Sequence, residues 1–397
     1  MISKIFIDGV RSLSESEYEF GQGINVIHGL NGCGKTSILE SVHLLSQGFS
    51  FRARDLKEMI AWKGNEFVLR GSFETAQGMV TRAVRVGRRS YDVRENGETL
   101  KSPTAFFGNC PAVIMQPSDI ELLRGGPEIR RRWLDEILCF RSKANALVLK
   151  RYRRVLQQRN QWLRQFKREG AAVGGEDLFR VLTEQLIELG GALWAARLAL
   201  SKEISLIITG NYRKLSSGVD EITCAYKSSI LKELDALDGA EFLDDDDLDR
   251  SVATDVAMPY DISGEQKDGT IDEAALCEAY RRKLEGVDYA ERLQGITLVG
   301  PHKDDLAVCI GGCEMRSAGS QGQCRCAAVA MRFAAVDVAS RYLDKPILLL
   351  DDIFAELDIN RRNAVASLIR EKSCQVIIAT PQLEEIPFKP DAEIRLG

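Results

Sequence analysis

Residues Gly29 to Ser37 read GLNGCGKTS, and this stretch constrains the fold of the chain most tightly. Gly29, Leu30, Asn31, Gly32, Cys33, Gly34, Lys35 and Thr36 match the pattern G-x-x-x-x-G-K-[ST]. Before it, GINVIHG has the β-branched character of a short strand. After it, KTSILESVHLLSQG carries Ile38, Val42 and Leu45 at helical spacing, with Gly48 as a stop. Glycines let backbone N–H groups approach phosphates without a Cβ in the way, and the following helix aims its positive end at them. Lys35 would neutralise the β- and γ-phosphates, Thr36 would place a hydroxyl on Mg2+, and Ser37 extends the binding turn. The loop thus sits between a strand and a helix, the context that a phosphate-binding loop needs.

Two distant motifs complete that chemistry. ILLLDD, Ile347 to Asp352, reads as a buried strand ending in acids. Asp351 is the natural metal contact, and Asp352 stands where a general base or water-positioning acid belongs. GSQGQ, Gly319 to Gln323, opens a long helical pattern, and Ser320, Gly322 and Gln323 form a second anion-binding turn. A phosphate loop, then S-x-G-Q, then an apolar run ending in two acids is the order of an ABC-type ATPase head. In that class the signature serine of one subunit caps the phosphate held by the other, which implies an ATP-dependent homodimer. AELD, Ala355 to Asp358, then resembles the loop at that seam, with Asp358 beside the nucleotide. Gln116, in VIMQPSD, sits where such heads carry a glutamine touching both the metal and the attacking water.

The intervening chain alternates strand and helix character. EFVLRGSFET and GMVTRAVRVGRRSYDVRENGETL read as antiparallel strands, with ENGE as a tight turn. From Ser118 the pattern turns helical, and residues 141–168 carry ten basic side chains and no acid. Tyr152, Val155, Leu156, Leu163 and Phe166 make an apolar stripe on that segment. Residues 231–270 read as a loop with an acidic run at Asp244 to Asp249. The expected fold is α/β, an ABC-type head with an antiparallel β subdomain and an inserted helical lobe. The expected organisation is an ATPase lobe from 1–117 and 296–397, with the mainly helical lobe at 118–295.

Net charge is −5, which excludes a uniformly basic surface and leaves room for local patches. Arg130, Arg131 and Arg132, and the run Lys150, Arg151, Arg153 and Arg154, are the candidate DNA contacts. Consecutive arginines on a helix point to different sides, so not all of them can face one partner. Ten cysteines without a CxxC pair read as reduced thiols, and no apolar run is long enough to span a membrane.

Several segments narrow the class further: GLNGCGKTSILESVHLLSQGFSFR, LLRGGPEIRRRWLDEIL, YRRVLQQRNQWL, LVGPHKDDL, SQGQCRCAAVAMRFA and ILLLDDIFAELDINRR. In this order they resemble the RecF family of bacterial recombination-repair ATPases, related to SMC heads, over nearly the full length. GGP-x-x-RRR-x-LD and Q-x-N-x-x-L are not general ABC features, which makes the match specific. The resemblance implies a cytosolic protein that binds ATP and Mg2+, dimerises on ATP and binds double-stranded or gapped DNA. It also implies weak DNA-dependent hydrolysis that resets the dimer, and work with RecR and RecO in favouring RecA loading. Cys33 within the loop and the acidic run depart from the family pattern. The rival readings are an SMC-like or anti-phage head with another partner, a transporter ATPase, and a nucleotide-binding scaffold without catalysis. The helical insert is too short for an SMC arm, the GGP-x-x-RRR region has no place in a transporter, and the Asp351–Asp352 pair speaks against a scaffold.

Overall fold

Apolar runs that cannot face water force the parallel strands inward. Labelled in chain order, β3 (Ile24–His28), β8 (Ala112–Met115), β12 (Ile347–Asp351), β13 (Gln375–Thr380) and β14 (Ala392–Arg395) form a parallel sheet in the order β14-β3-β13-β12-β8. The computed structural model describes residues 1–170, 175–216, 220–237, 272–343, 345–355 and 357–396. Strands that alternate buried and exposed residues make a second, antiparallel sheet, ordered β2-β1-β4-β5-β6-β7. They are β1 (Ile2–Asp8), β2 (Ser16–Glu19), β4 (Glu66–Thr75), β5 (Gly78–Gly87), β6 (Tyr91–Glu95) and β7 (Glu98–Thr99).

Helix α1 (Lys35–Gln47) lies in the core that both sheets share. Ile38, Leu39, Val42 and Leu45 join one cluster with Ile5, Phe67, Leu69 and Phe73 of the antiparallel sheet and Ile114, Leu349 and Ile377 of the parallel one. The apolar face read from periodicity is therefore only part of the contact: every residue of α1 except Thr36 is buried. Most of its buried polar groups are paired, as burial demands, while Ser46 Oγ and Gln47 Oε1 meet no hydrogen-bond partner. Ser41 donates to the Ser37 carbonyl at 2.8 Å, His43 Nδ1 meets the Phe49 carbonyl at 2.9 Å, and Gln47 donates to the Ala112 carbonyl at 3.0 Å. At the C-terminal end, buried Arg82 donates to the Leu45 and Ser46 carbonyls at 2.8 and 3.1 Å, placing positive charge where helix carbonyls are left over.

The chain divides into two compact units. The first holds residues 1–120, 208–220 and 321–397, including α9 (Gln321–Tyr342) and α10 (Ile359–Glu371). The second holds 121–207 and 221–320. Its elements are α2 (Glu121–Arg124), α3 (Pro127–Arg141), α4 (Lys143–Glu169), most of α5 (Glu176–Leu215), β9 (Ile222–Lys227), α6 (Ser229–Leu237), α7 (Glu273–Gln294), β10 (Asp305–Ile310), β11 (Cys313–Glu314) and α8 (Met315–Ala318).

The second boundary thus falls at 320/321, not at 295/296 as expected. The reason is pairing: β10 runs antiparallel to β9 from Asp305↔Lys227 to Ile310↔Ile222, which ties residues 305–310 to the second unit. Residues 231–237, expected to be loop, belong to the helix Ser229–Leu237, and the acidic run at 244–249 lies outside the described residues. In α4, Tyr152, Val155 and Leu163 of the expected stripe are buried, joined by Leu149, Arg159 and Trp162. Among the described residues no helix is long and apolar enough to cross a membrane, and all ten cysteines are free thiols.

Candidate active site

The sequence-derived site residues are far apart in the chain, and parallel register brings them to one edge of the first unit. Thr380 pairs beside His28, Asp351 beside Ala379, and Leu350 beside Met115. The C-terminal ends of β3, β12 and β8 therefore lie along one sheet edge, with β13 between β3 and β12, each followed at once by a motif residue: Gly29, Asp352 and Gln116. Open α/β sheets bind ligands at this edge, where strands end and loops begin.

In the phosphate loop Gly29, Gly32 and Gly34 have φ of 152°, 87° and 106°, a region that side chains rarely adopt. Gly34 is further restricted, because a Cβ there would lie 2.5 Å from Leu13 Cδ2. Asn31 and Gly32 are exposed, and Leu30 is 80% exposed. Lys35 Nζ donates to the Gly29 and Leu30 carbonyls at 2.7 and 2.9 Å, and lies 4.0 Å from Cys33 Sγ. Ser37 is buried in the first turn of α1.

Thr36 Oγ1 donates to Asp351 Oδ1 at 2.9 Å, joining the loop to the end of β12. Burial pushes the Asp351 carboxyl up, opposed by the Thr36 hydroxyl and the Arg52 charge, while neighbouring Asp352 adds to the rise and Lys35 opposes it. Two adjacent acids at a buried strand end favour a cation there. Asp352 has φ 52°, left-handed and uncommon for a side-chain-bearing residue, and its N–H donates to the Ala379 carbonyl at 2.9 Å. Gln116 and Asp352 line one small cavity of about 40 Å³ with Asp119, Arg325 and Arg332. The segment after β8 is held by Asp119, which accepts from the Gln116 N–H at 2.9 Å and from Arg332 at 2.7 Å.

Around the signature turn, the structure gives three residues local partners. Ser320 is exposed and immediately precedes α9. Gln323 donates to Asp220 at 2.8 Å. Gly322 lies against Arg361 of α10, where a Cβ would come 2.4 Å from Nη1. Asp358 caps α10 by accepting from the Arg361 N–H at 3.0 Å.

The basic candidates in the second unit separate into two groups. Arg130 is buried, donating to Asp305 at 2.7 and 2.8 Å and to the Leu122 and Gly125 carbonyls, so it is not available to DNA. Arg131 donates to the Asp304 carbonyl, and Arg153 to Asp135 at 2.9 Å, so both are already committed within the unit. Arg132, Lys150, Arg151 and Arg154 are exposed.

Arg52 is missing from the sequence-derived set. It is exposed, its charge acts on Asp351, and its backbone is anchored. Ser50 accepts from the Arg52 and Ala53 N–H groups and donates to Glu40, which Arg11 grips at 2.8 and 3.0 Å. No spacing rule singles out such an arginine; only its placement does.

The RecF/RecN/SMC N-terminal domain model matches residues 1–387. The DNA replication and repair protein RecF of Geobacter sulfurreducens is 32% identical over 97% of this chain and 94% of its own length. That of Heliobacterium modesticaldum is 33% identical over 100% of this chain and 96% of its own. A solved structure of the recombination mediator protein RecF with ATP, in the RecFOR pathway, superposes with a TM-score of 0.81 at 26% identity, covering 100% of this chain and 95% of that one. An Smc head bound to a winged-helix domain of ScpA shares the fold, with a TM-score of 0.52 at 15% identity over 97% of this chain and 91% of that one.

Proposed function

The chain belongs to the RecF family of DNA replication and repair ATPases, and from that premise we propose that it is an ATP-gated DNA clamp. The observation that carries this reading is the convergence of Lys35, Thr36, Asp351, Asp352 and Gln116 at neighbouring strand ends. The residues suit a nucleotide and a hard cation. Thr36 and Asp351 offer oxygen donors 2.9 Å apart, as Mg2+ requires, and Gln116 lies at the same edge. Thr36 and Asp351 would hold Mg2+, which would supply positive charge to offset that of the phosphates. Residues 29–34 give backbone N–H groups to the phosphates, and Lys35 adds a cation that can leave the loop carbonyls for phosphate oxygens. Gln116 and Asp352 orient the attacking water, with Asp352 as the acceptor of its proton.

Ser320, Gly322, Gln323 and Asp358 act at a seam with a second copy, Ser320 toward the partner's γ-phosphate. Of these, Gln323 and Asp358 have first claims elsewhere, on Asp220 and on the N-cap of α10, so Ser320 and the Gly322 backbone carry the proposal. The dimer holds double-stranded or gapped DNA through exposed cations, among them Arg132, Lys150, Arg151 and Arg154. RecR and RecO are its proposed partners, RecA loading its proposed consequence, and slow DNA-dependent hydrolysis its reset.

Light scattering with and without a non-hydrolysable ATP analogue tests the clamp. The expected result is a monomer that becomes a dimer at micromolar protein. Persistence of the monomer at saturating analogue sinks the proposal. Lys35→Met is expected to abolish nucleotide binding, whereas Ser320→Arg keeps it and loses the dimer. Loss of nucleotide binding in Ser320→Arg would mean that Ser320 does not act across the seam.

A further inference from the structure

Gly322 is a glycine that its own backbone does not ask for. It is the second residue of α9, and its φ is not positive. A glycine in a helix costs up to about 1 kcal/mol relative to alanine. What the position requires is space. A Cβ there would lie 2.4, 2.9 and 3.0 Å from Nη1, Nη2 and Cζ of Arg361, so the planar end of that arginine lies over the glycine.

Other groups hold the Arg361 side chain only weakly. Asp358 accepts its backbone N–H at 3.0 Å and places Oδ2 3.4 Å from Nη1. That separation is long for a charge-assisted hydrogen bond, and both side chains of the pair are partly exposed. Among the described residues Arg361 pairs with no other carboxylate. Its neighbour Arg362 is spent differently, donating through Nε to the Leu357 carbonyl at 2.8 Å. The cations that act on Asp351 are Arg52 and Lys35, whereas the Arg361 charge acts on Tyr212 and on Cys326 of α9. Its field therefore lies at the signature turn rather than at the metal edge of its own chain.

We propose that Arg361 is a catalytic residue acting in trans, its guanidinium donating hydrogen bonds to the γ-phosphate held by the phosphate loop of a second copy of this chain. The inference rests on the reading of the chain as an ATP-gated dimer, and it adds the positive charge that Ser320 and the Gly322 backbone lack. In the step it serves, the water oxygen bonds to the γ-phosphorus. The bond from that phosphorus to the β–γ bridging oxygen breaks, its electron pair leaves with ADP, and the water proton passes to Asp352. Arg361 keeps its own proton and stabilises the charge that gathers on the phosphoryl oxygens. A guanidinium suits this task, because its fork meets two phosphate oxygens at once. Asp358 is then a positioning residue: it caps α10 and steadies the arginine that begins its first turn.

The test uses the full chain carrying Arg361→Gln. A fluorescent ATP analogue should bind it as it binds wild type, and single-turnover hydrolysis should fall roughly 1,000-fold. Dimer formation is then titrated by light scattering with two ligands, the non-hydrolysable ATP analogue and ADP with aluminium fluoride, which mimics the phosphoryl group in flight. The variant should lose at least about ten-fold more dimer affinity with the second ligand than with the first, because the contact strengthens as charge develops. Mixing locates the residue. Asp352→Asn and Arg361→Gln are each nearly inactive alone, and both keep the phosphate loop. Combined with ATP, they form mixed dimers in which one site joins an intact Asp352 to the partner's intact Arg361, so turnover should reappear at up to about a quarter of the wild-type rate.

Wild-type turnover in Arg361→Gln overturns the assignment. Equal loss of dimer affinity with both ligands also overturns it, leaving Arg361 as a prop for the signature turn. Absence of turnover when energy transfer between labelled subunits shows mixed dimers overturns action in trans. A wild-type chain that stays monomeric with both ligands defeats the clamp reading itself, and this inference with it.

Discussion

Arg130 is the sharpest test of whether a basic cluster in the sequence is surface or scaffold. The side chain is 5% exposed and makes four donations: two to the Asp305 carboxylate, and one each to the Leu122 and Gly125 carbonyls at 3.1 and 3.0 Å. Arg130→Met fills much of the same volume but leaves Asp305 unpaired. Breaking a buried ion pair from one side costs about 3–5 kcal/mol. The Asp305 side chain is 23% exposed, so water recovers part of that. The two orphaned carbonyls add about 1 kcal/mol each where water does not reach them. A net loss of about 3–4 kcal/mol follows, and a unit of roughly 150–250 residues shifts by about 2–4 °C per kcal/mol. Thermal unfolding followed by circular dichroism should therefore show a fall on the order of 10 °C. In Arg130→Met/Asp305→Leu only the part of that fall due to the stranded charge should be restored, since the Leu122 and Gly125 carbonyls stay without their donor. The salt slope of DNA binding should not move. A single variant that melts within about 1 °C of wild type, yet binds DNA with a flatter salt slope, would refute the buried-pair reading and return Arg130 to the DNA surface.

The remaining predictions concern protons, a turn and the metal edge. His43 is buried and His302 half-buried, and desolvation lowers each to about pKa 4, below the ordinary 6.5. The unfolded chain binds protons there that the folded one refuses. Stability is full above about pH 6.5 and is lost as pH falls toward 4, by at most about 3 kcal/mol per histidine; urea titrations from pH 7.5 to 4.5 should show it, and a flat profile would contradict it. Gly48 caps α1 with φ 80°, and a Cβ would sit 2.0 Å from the Pro103 carbonyl oxygen, so Gly48→Ala should cost more than about 1 kcal/mol in chemical denaturation. Thr36→Val keeps shape and loses the hydroxyl that meets Asp351; ATP hydrolysis should collapse while the melting temperature stays, and unchanged turnover would remove Thr36 from the metal edge. Gly322→Ala should displace Arg361 and weaken the analogue-induced dimer without touching nucleotide binding, as separate binding and light-scattering measurements would show.

What could be read from the sequence follows a physical division. The phosphate loop and the ILLLDD strand are legible because their chemistry is local: glycines at positive φ, and an apolar run that must be buried. Thr36 meets Asp351 across 315 positions because two strand-end motifs share one parallel edge. The signature turn was legible as a turn, but its neighbours were not, since Arg361 and Asp220 come from other elements. The arginine clusters were the least legible. Arg130, Arg131 and Arg132 are consecutive, yet one is buried, one is tied to a backbone carbonyl and one is exposed. Only the helix phase and the positions of Asp305 and Asp304 decide which is which. The unit boundary was misplaced for a similar reason, because nothing local in residues 305–310 announces a partner strand at 222–227.

The same division bears on the proposed binding of DNA by an acidic chain. At physiological salt a charge is screened beyond roughly 8 Å, so the net −5 of the whole chain is not what a phosphate at the surface of α4 feels. It feels the few groups within one screening length. Along α4 the exposed cations include Lys150, Arg151 and Arg154 toward one end, and Arg164, Lys167 and Arg168 toward the other. Nearby arginines do not add to that field, since Arg153 is held by Asp135 and Arg130 by Asp305. The local sign is therefore set by which cations were left without acids, not by how many the sequence contains. Binding that depends on so few groups should fade within a few-fold rise in salt. On the proposed clamp reading, release of DNA would need only a modest change in how two copies of α4 are presented, the kind of change that opening of the proposed dimer would deliver.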